Sequence, residues 1–186
     1  MRFLAPFVVA MLFVGFLASC TAGKTIEQRN GPVVENLSVG EKAELYGMNI
    51  SVDDVYASRS PAKLGMNRDK GPEQGKVFVV VDVTVEGTQA QTNTRPPTIK
   101  DLNFSAEDEN GNPIPKAVPK AFSYGSIRSV YDITGELLPG QSRTGPLAFE
   151  ASETSEMTFK FKAVPDTQDV PPVRWNLGPV SEIEML

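Results

Sequence analysis

Cys20 has the most distinctive chemistry in this chain, because it is the only cysteine among 186 residues and the chain contains no histidine. Without histidine, a Ser-His-Asp triad, a Cys-His pair and a histidine site for zinc or copper are excluded. Paired carboxylates or a Ser-Lys pair remain possible catalysts, but no spacing singles one out. We therefore predict a protein that is not an enzyme, with no catalytic residue, no metal site and no cofactor.

The residues before Cys20 have the layout of a secretory signal. Arg2 provides a positive charge, residues 4–16 are apolar, and the small residues Ala18 and Ser19 precede the cysteine. A membrane-spanning helix needs about 20 apolar residues, whereas this run is shorter and contains a proline. The pattern predicts a signal peptide over residues 1–19.

The four residues Leu17, Ala18, Ser19 and Cys20 resemble a bacterial lipobox, the recognition site of lipoprotein signal peptidase. The resemblance implies cleavage before Cys20 and diacylglycerol on its sulfur. The chain would then be lipid-anchored in the cell membrane or the outer membrane, facing the periplasm or the exterior. Thr21 would permit outer-membrane delivery, since aspartate is the residue that retains Gram-negative lipoproteins in the inner membrane. An ordinary signal peptide and an uncleaved N-terminal anchor are the alternatives.

Length and composition limit the number of domains, the charge and the cross-links of the mature chain. Removal of residues 1–19 leaves 186 − 19 = 167 residues, enough for one domain with a tether. Only Arg2 is lost from the charged residues, so 17 basic and 23 acidic residues remain, a formal charge of −6. This acidic balance argues against nucleic acid as a partner. An acylated Cys20 also leaves no cysteine for a disulfide, so the fold must depend on its core.

Residues 20–37 are polar, lack periodicity and contain Asn30-Gly31-Pro32, which predicts a lipidated N-terminus and flexible tether. From Ser38 onward, short apolar alternations are separated by turn residues, and helical periodicity is almost absent. We therefore predict one all-β domain over residues 38–186.

The strongest strand signal is Val77–Val85, where the odd-numbered valines fall on one face. The opposite face starts with Phe78 and Val80 and ends with Asp82 and Thr84, as expected of a central strand whose second face emerges into water. The same alternation predicts strands at Lys42–Leu45, at Asn49–Ala57 with a bulge at Asp53-Asp54, and near residues 102–106, 147–149, 157–161 and 174–177. A bulge is favoured over a metal site at Asp53-Asp54, and Trp175 is assigned to the core.

Two turns are predicted from their residue types. Glu109-Asn110-Gly111-Asn112 predicts a hairpin, because Asn-Gly accepts positive φ at both central positions. A calcium loop is rejected there, because its sixth position needs glycine and carries Pro113. Leu138-Pro139-Gly140-Gln141 predicts a type II turn.

Several motifs recur in an order that resembles one family. They are Val39-Gly40-Glu41, the strand Val77–Val85, Glu109-Asn110-Gly111, Gly135–Gln141, Thr144–Glu150 and Phe159-Lys160-Phe161. Behind the lipobox, this order resembles domain of unknown function 4352, an immunoglobulin-like domain of bacterial surface lipoproteins. The resemblance, taken over Ser38–Leu186, implies an immunoglobulin-like antiparallel β-sandwich and supplies no catalytic residues.

Two connections, 59–76 and 113–131, are long for a sandwich and are basic within an acidic chain. We predict that they form a patch for an anionic partner, with the candidate residues Lys63, Arg68, Lys70, Lys116, Lys120 and Arg128. The alternative is a pair of solvated loops whose apolar residues Phe122, Tyr124 and Ile127 lie on the sandwich.

The function that best fits these features is a non-catalytic binding or scaffolding module of the cell envelope, held on the membrane through Cys20. Its partner would be an unknown envelope protein or polymer, bound by loops or by strand addition at a sheet edge. The alternative is a carboxylate-based extracytoplasmic enzyme or carbohydrate-active accessory domain, which requires two carboxylates converging in a cleft about 5–9 Å apart. A small-molecule or metal binder is disfavoured by the missing histidines.

Overall fold

Strands make up almost all the regular structure, as the alternating apolar residues predict. The computed structural model describes residues 26–27, 36–45, 47–64, 71–88, 97–117, 133–163 and 172–186. The strands within these ranges are β1 (Ile26–Glu27), β2 (Asn36–Leu37), β3 (Lys42–Leu45), β4 (Met48–Ser58), β5 (Lys76–Gly87), β6 (Thr98–Ile99), β7 (Phe104–Asp108), β8 (Pro113–Ile114), β9 (Gly135–Glu136), β10 (Ser142–Ser152), β11 (Glu156–Phe161), β12 (Val173–Pro179) and β13 (Glu184–Met185). Short 3-10 helices occur at Pro61–Leu64, Asp101–Asn103 and Val180–Glu182.

The strands form two principal sheets. Sheet A has the order β1-β3-β4-β5-β10, with β13 also paired to β4, and sheet B has the order β2-β12-β11-β7-β8. The long pairings are antiparallel, which confirms the predicted all-β sandwich. Three short pairings are parallel: β1 with β3, β2 with β12, and β13 with β4. The remaining β6 and β9 pair with each other.

The core lies between the inner faces of the two sheets. Sheet A contributes the odd-numbered valines of β5, from Val77 to Val85, all of them buried. Sheet B contributes the buried aromatic residues Phe104, Phe159, Phe161 and Trp175. The Phe159 ring lies 5.9 Å from that of Trp175 and 6.0 Å from that of Phe149 on sheet A, centroid to centroid. The assignment of Trp175 to the core is confirmed, and its indole N–H donates to the Glu41 carbonyl at 3.1 Å.

The predicted bulge and one predicted turn are present. The register between β4 and β5 shifts between Val52 and Asp54, as expected for a bulge. At Leu138–Gln141, Gly140 has φ +75° and the Gln141 N–H donates to the Leu138 carbonyl at 3.0 Å. These are the positive φ and the closing hydrogen bond that a type II turn requires.

The hairpin after β7 is present, but its turn differs from the prediction by one residue. The Gly111 N–H donates to the Asp108 carbonyl at 3.0 Å, so Glu109 and Asn110 are the central residues. Gly111 follows them with φ +79°. The Asp108 carboxylate accepts hydrogen bonds from the backbone N–H groups of Asn110 and Asn112, at 2.9 and 2.8 Å, and these bonds select the three-residue loop.

Three further boundaries differ from the sequence predictions. Leu102 does not continue the alternation of β7, because it lies in a 3-10 helix and is 71% exposed. The segment predicted as a tether contains β1 and β2, and Leu37 is buried in the core, so the sandwich begins before Ser38. Residues 113–117 are not simply loop, because β8 pairs with β7 and Lys116 forms a bridge to Phe149 of β10.

Candidate functional site

The structure describes only part of the residues predicted to be functional. Lys63 and Lys116 lie within the described ranges. Eight others lie outside the described residues: Leu17, Ala18, Ser19, Cys20, Arg68, Lys70, Lys120 and Arg128. Their predicted roles therefore stay predictions.

The outer face of sheet A brings the two basic connections together. Phe78 and Val80 of β5 point away from the core and form a second buried cluster with Ala148. Leu64, from the first connection, and Ala117, from the second, complete this cluster. Apolar contact with one patch of the sheet thus places the beginnings of both connections on the same surface, which the sequence alone did not predict.

Ion pairs hold the described ends of the first connection. The Arg59 guanidinium binds the Glu153 carboxylate through two hydrogen bonds, of 3.0 and 2.7 Å, and this pairing holds the pKa of Glu153 below its usual value. At the other end, the Lys76 ammonium lies 2.6 Å from the Glu73 carboxylate and likewise lowers the pKa of Glu73. These two cations are therefore already paired with carboxylates of the same chain.

The two described patch residues differ in their surroundings. The Lys116 ammonium donates to the Asp101 carbonyl at 2.5 Å and lies 2.9 Å from an Asp101 carboxylate oxygen. Its side chain is only 23% exposed. Lys63 is exposed beside the buried Leu64 and forms no ion pair with another described residue. Within the described ranges, Lys116 therefore has a counterion and Lys63 has none.

Farther along the same outer face, hydroxyl groups surround the carboxylate at the bulge. Asp53 accepts hydrogen bonds from the Ser51 and Thr84 hydroxyls at 2.6 and 2.5 Å. The Thr84 hydroxyl also lies 2.7 Å from that of Thr144 on β10. This network joins three adjacent strands, which gives the predicted bulge a structural role.

Two carboxylates lie opposite each other between the bulge and the apolar cluster. Asp54 of β4 and Asp82 of β5 are Cα partners, and Asp54 accepts a 2.8 Å hydrogen bond from the Val55 N–H. Partial burial, followed by the negative charges of Asp82 and Asp54, raises the pKa of Tyr56 to about 12. Carboxylate catalysis requires a defined separation of the two carboxyl groups in a substrate cleft, and pairing of Cα atoms in a register provides neither.

The outer face of sheet B carries a charged cluster that sequence analysis did not identify. Glu107 of β7 pairs with the Lys160 ammonium of β11, and its other oxygen lies 3.5 Å from the Arg174 guanidinium of β12. Alternation placed these residues on the outer face, but their mutual contact depends on strand order. The cluster crosses three strands, so it stabilises their registration.

Among the described ranges, no group of three or more acidic or cysteine side chains is arranged to hold a metal ion. In the same ranges, no helix has the length and apolar character needed to cross a membrane.

Several solved structures are similar to this chain. A Staphylococcus aureus protein provisionally named a lipoprotein is 6% identical with a TM-score of 0.49, over 81% of this chain and 96% of that one. The yjhA protein of Bacillus subtilis is 18% identical with a TM-score of 0.48, over 76% of this chain and 98% of that one. The B. subtilis protein ycdA, also provisionally named a lipoprotein, is 13% identical with a TM-score of 0.47, over 69% of this chain. This chain spans only 36% of the ycdA structure.

A comparison with proteins of curated description gives no match. A family profile does match, over residues 37–169, which are 133 of the 186 residues. The matched region ends before β12 and is therefore shorter than the expected Ser38–Leu186. It contains β3 to β11 and both basic connections. The chain belongs to the family described as domain of unknown function DUF4352.

Proposed function

We propose that this chain is a lipid-anchored protein of the bacterial envelope, whose sandwich acts as a non-catalytic module that binds an anionic partner. The lipobox-like sequence at residues 17–20 supports the anchor. Two or three acyl chains on one cysteine suffice for stable membrane attachment, because each buried methylene contributes about 0.8 kcal/mol.

The observation that carries the binding proposal is the contact of Leu64 and Ala117 with the same apolar cluster. Because of it, the described beginnings of both basic connections lie on one face of sheet A. Lys63 is an exposed cation at that face and forms no ion pair with another described residue. Clustered positive charge attracts phosphate or carboxylate groups over about one Debye length.

A charge-reversal pair tests the binding surface. The double variant Lys63→Glu/Lys120→Glu reverses two candidate residues while leaving the internal pair of Lys116 intact. Lys42→Glu/Lys162→Glu is the matched control, because it makes the same charge change at residues outside the two connections. The variants are compared for retention on anionic vesicles, on anionic wall polymer and on an acidic protein.

We expect the first variant to lose salt-sensitive retention on one of these materials, whereas the control behaves like the wild type. The material affected identifies the class of partner. Equal retention of wild type and both variants on all three materials would refute the anionic patch.

The anchor is tested separately with Cys20→Ala in cells supplied with labelled palmitate. We expect the variant to lose the label and to leave the membrane fraction or retain its leader. A variant that stays as firmly membrane-bound as the wild type, with an unmodified leader, would refute lipid attachment.

A further inference from the structure

The tip of the hairpin between β7 and β8 carries a dipeptide with chemistry of its own. Asn110 is followed directly by Gly111, and both residues are exposed, as is Asn112. Glycine has no side chain to shield its backbone nitrogen, so this nitrogen can attack the side-chain amide carbon of the preceding asparagine. Within the described ranges, Asn110 is the asparagine that precedes a glycine. The hairpin tip therefore holds a reactive group and its nucleophile side by side.

The reaction between these groups is spontaneous deamidation, and it consumes only water. The Gly111 nitrogen loses its proton and forms a bond to Cγ of Asn110, and the side-chain nitrogen takes up a proton and leaves as ammonia. Water then opens the resulting succinimide ring at one of its two carbonyl carbons. One opening gives aspartate, and the other gives isoaspartate, whose main chain is longer by one methylene. Each product carries one more negative charge than asparagine.

The folded hairpin occupies the attacking nitrogen. The Gly111 N–H donates a hydrogen bond to the Asp108 carbonyl at 3.0 Å. Attack requires removal of this proton and rotation of the peptide group between Asn110 and Gly111 toward the side chain. The hydrogen bond that closes the turn must therefore break before the ring can form.

The Asp108 carboxylate holds the same turn from its other side. It accepts hydrogen bonds from the Asn110 N–H at 2.9 Å, from the Asn112 N–H at 2.8 Å and from the Asn112 side-chain amide at 2.9 Å. These bonds, chiefly the one from the Asn112 side chain, hold the pKa of Asp108 below its usual value. The carboxylate is therefore ionised at neutral and alkaline pH, where attack by an amide nitrogen is fastest.

We propose that Asn110 is a site of spontaneous deamidation and that the Asp108 carboxylate controls its rate by holding the hairpin closed. The site reacts when the hairpin opens, so the modification records how often this tip loses its native hydrogen bonds. The inference is independent of the lipid anchor and of any anionic partner.

The products change contacts beyond the tip itself. The neighbouring Glu109 carboxylate accepts a hydrogen bond from the Glu156 N–H at 3.1 Å, which joins the hairpin to β11. A new carboxylate at position 110 adds negative charge beside this contact. Isoaspartate also lengthens the chain between Asp108 and Gly111, so the closing hydrogen bond is lost. Because β8 begins the second basic connection at Pro113, the modification loosens the start of that connection.

The test compares three full-length chains in mildly alkaline buffer: the wild type, Asp108→Ala and Asp54→Ala. Asp54→Ala is the matched control, because Asp54 also accepts a hydrogen bond from a backbone N–H but lies on β4. Each chain is incubated folded and, separately, unfolded in urea. Peptide mapping by mass spectrometry measures conversion at position 110, and Asn110→Asp supplies the standard for the aspartate product.

We expect all three chains to react at Asn110 at one common rate in urea. Folded wild type and folded Asp54→Ala should react at least about tenfold more slowly than in urea, and folded Asp108→Ala should regain about tenfold, as expected from the loss of one or two hydrogen bonds. The emission of the buried Trp175 verifies that each folded sample has kept its core. Asp108→Asn keeps the shape of the side chain without its charge and should give an intermediate rate, so it replaces Asp108→Ala if that variant unfolds.

Three results would overturn the proposal. Absence of conversion at Asn110 in urea, or in the folded Asp108 variants, would remove the site. Equal rates in folded wild type and the folded Asp108 variants would remove the control by the carboxylate. An acceleration in Asp54→Ala as large as that in Asp108→Ala would show that loss of any such aspartate suffices, which would also refute the role of Asp108.

Discussion

Replacement of Gly87 by alanine should destabilise the fold strongly, because the backbone of a turn occupies the place of a side chain. An ideal Cβ at Gly87 would lie 2.3 Å from the Leu138 carbonyl oxygen and 2.9 Å from its carbon. Both are backbone atoms, so no rotamer change relieves the contact. The same turn is bound to Gly87 by two hydrogen bonds of 2.8 Å, from the Gly87 N–H to the Gln141 carbonyl and from the Gly140 N–H to the Gly87 carbonyl.

The expected loss of stability in Gly87→Ala follows from these contacts. Forcing extra volume into a packed site costs about 1–3 kcal/mol. Displacing the turn also weakens the two hydrogen bonds, each contributing about 0.5–1.5 kcal/mol. Gly87→Ala should therefore lower the free energy of unfolding by about 2–6 kcal/mol, a large part of the total for a domain of this size.

Gly140→Ala is the matched control in the same turn. Gly140 has φ +75°, but no atom lies within 4 Å of its ideal Cβ. Gly140→Ala should lower the free energy of unfolding by only about 1–2 kcal/mol, the strain of an alanine in the left-handed conformation. The comparison separates lack of space from conformational strain.

Urea unfolding of the mature chain, followed by the emission of Trp175, measures both variants. Trp175 is the only tryptophan and is fully buried, so its emission reports loss of the core. An unfolding midpoint for Gly87→Ala equal to that of the wild type would refute the argument. A smaller loss in Gly87→Ala than in Gly140→Ala would refute it as well.

Three further predictions concern polar groups. The buried Asn103 amide donates to the Lys162 and Ala163 carbonyls at 2.6 and 3.1 Å. Asn103→Asp should therefore lower the free energy of unfolding by about 2–4 kcal/mol, and part of the loss should be recovered in acid, where the protonated carboxyl can donate again. A loss that does not change with pH in urea titrations would contradict this prediction. Glu107→Gln should lower the free energy of unfolding by about 1–3 kcal/mol, because the cations of Lys160 and Arg174 remain close together without their carboxylate. The loss should be larger at low salt, where charges are less screened. A loss that does not depend on salt would count against the ion pairs. The pKa of Tyr56 is raised from 10.0 to about 12, so the unfolded state loses this proton first and the free energy of unfolding should fall as the pH rises from 10 to 12. Tyr56→Phe should remove this contribution to the pH dependence. The same alkaline loss of stability in wild type and variant would refute the shift.

Local patterns predicted the framework of the sandwich. The alternating valines of β5 specified both its core face and the apolar start of its outer face, because side chains of a strand point alternately to its two sides. Pro139 and Gly140 specified the turn before β10 through their own backbone preferences. The motif order identified the family, and the missing histidines excluded whole classes of site.

Contacts between distant residues decided what sequence patterns did not predict. Lys116 looked like a free cation in a basic connection, but the fold places it beside Asp101. Leu37 looked like part of a tether, but parallel pairing with β12 carries it into the core. Leu64 and Ala117 likewise meet because both pack on the same outer face of sheet A.

By itself, the sequence determined the strand framework, the excluded chemistry and the family, because each depends on residue type or on periods of a few residues. The tertiary structure alone decided which charges are paired, which apolar residues remain exposed and where the two connections meet. Those properties depend on strand order and register, which bring together residues tens of positions apart in the chain.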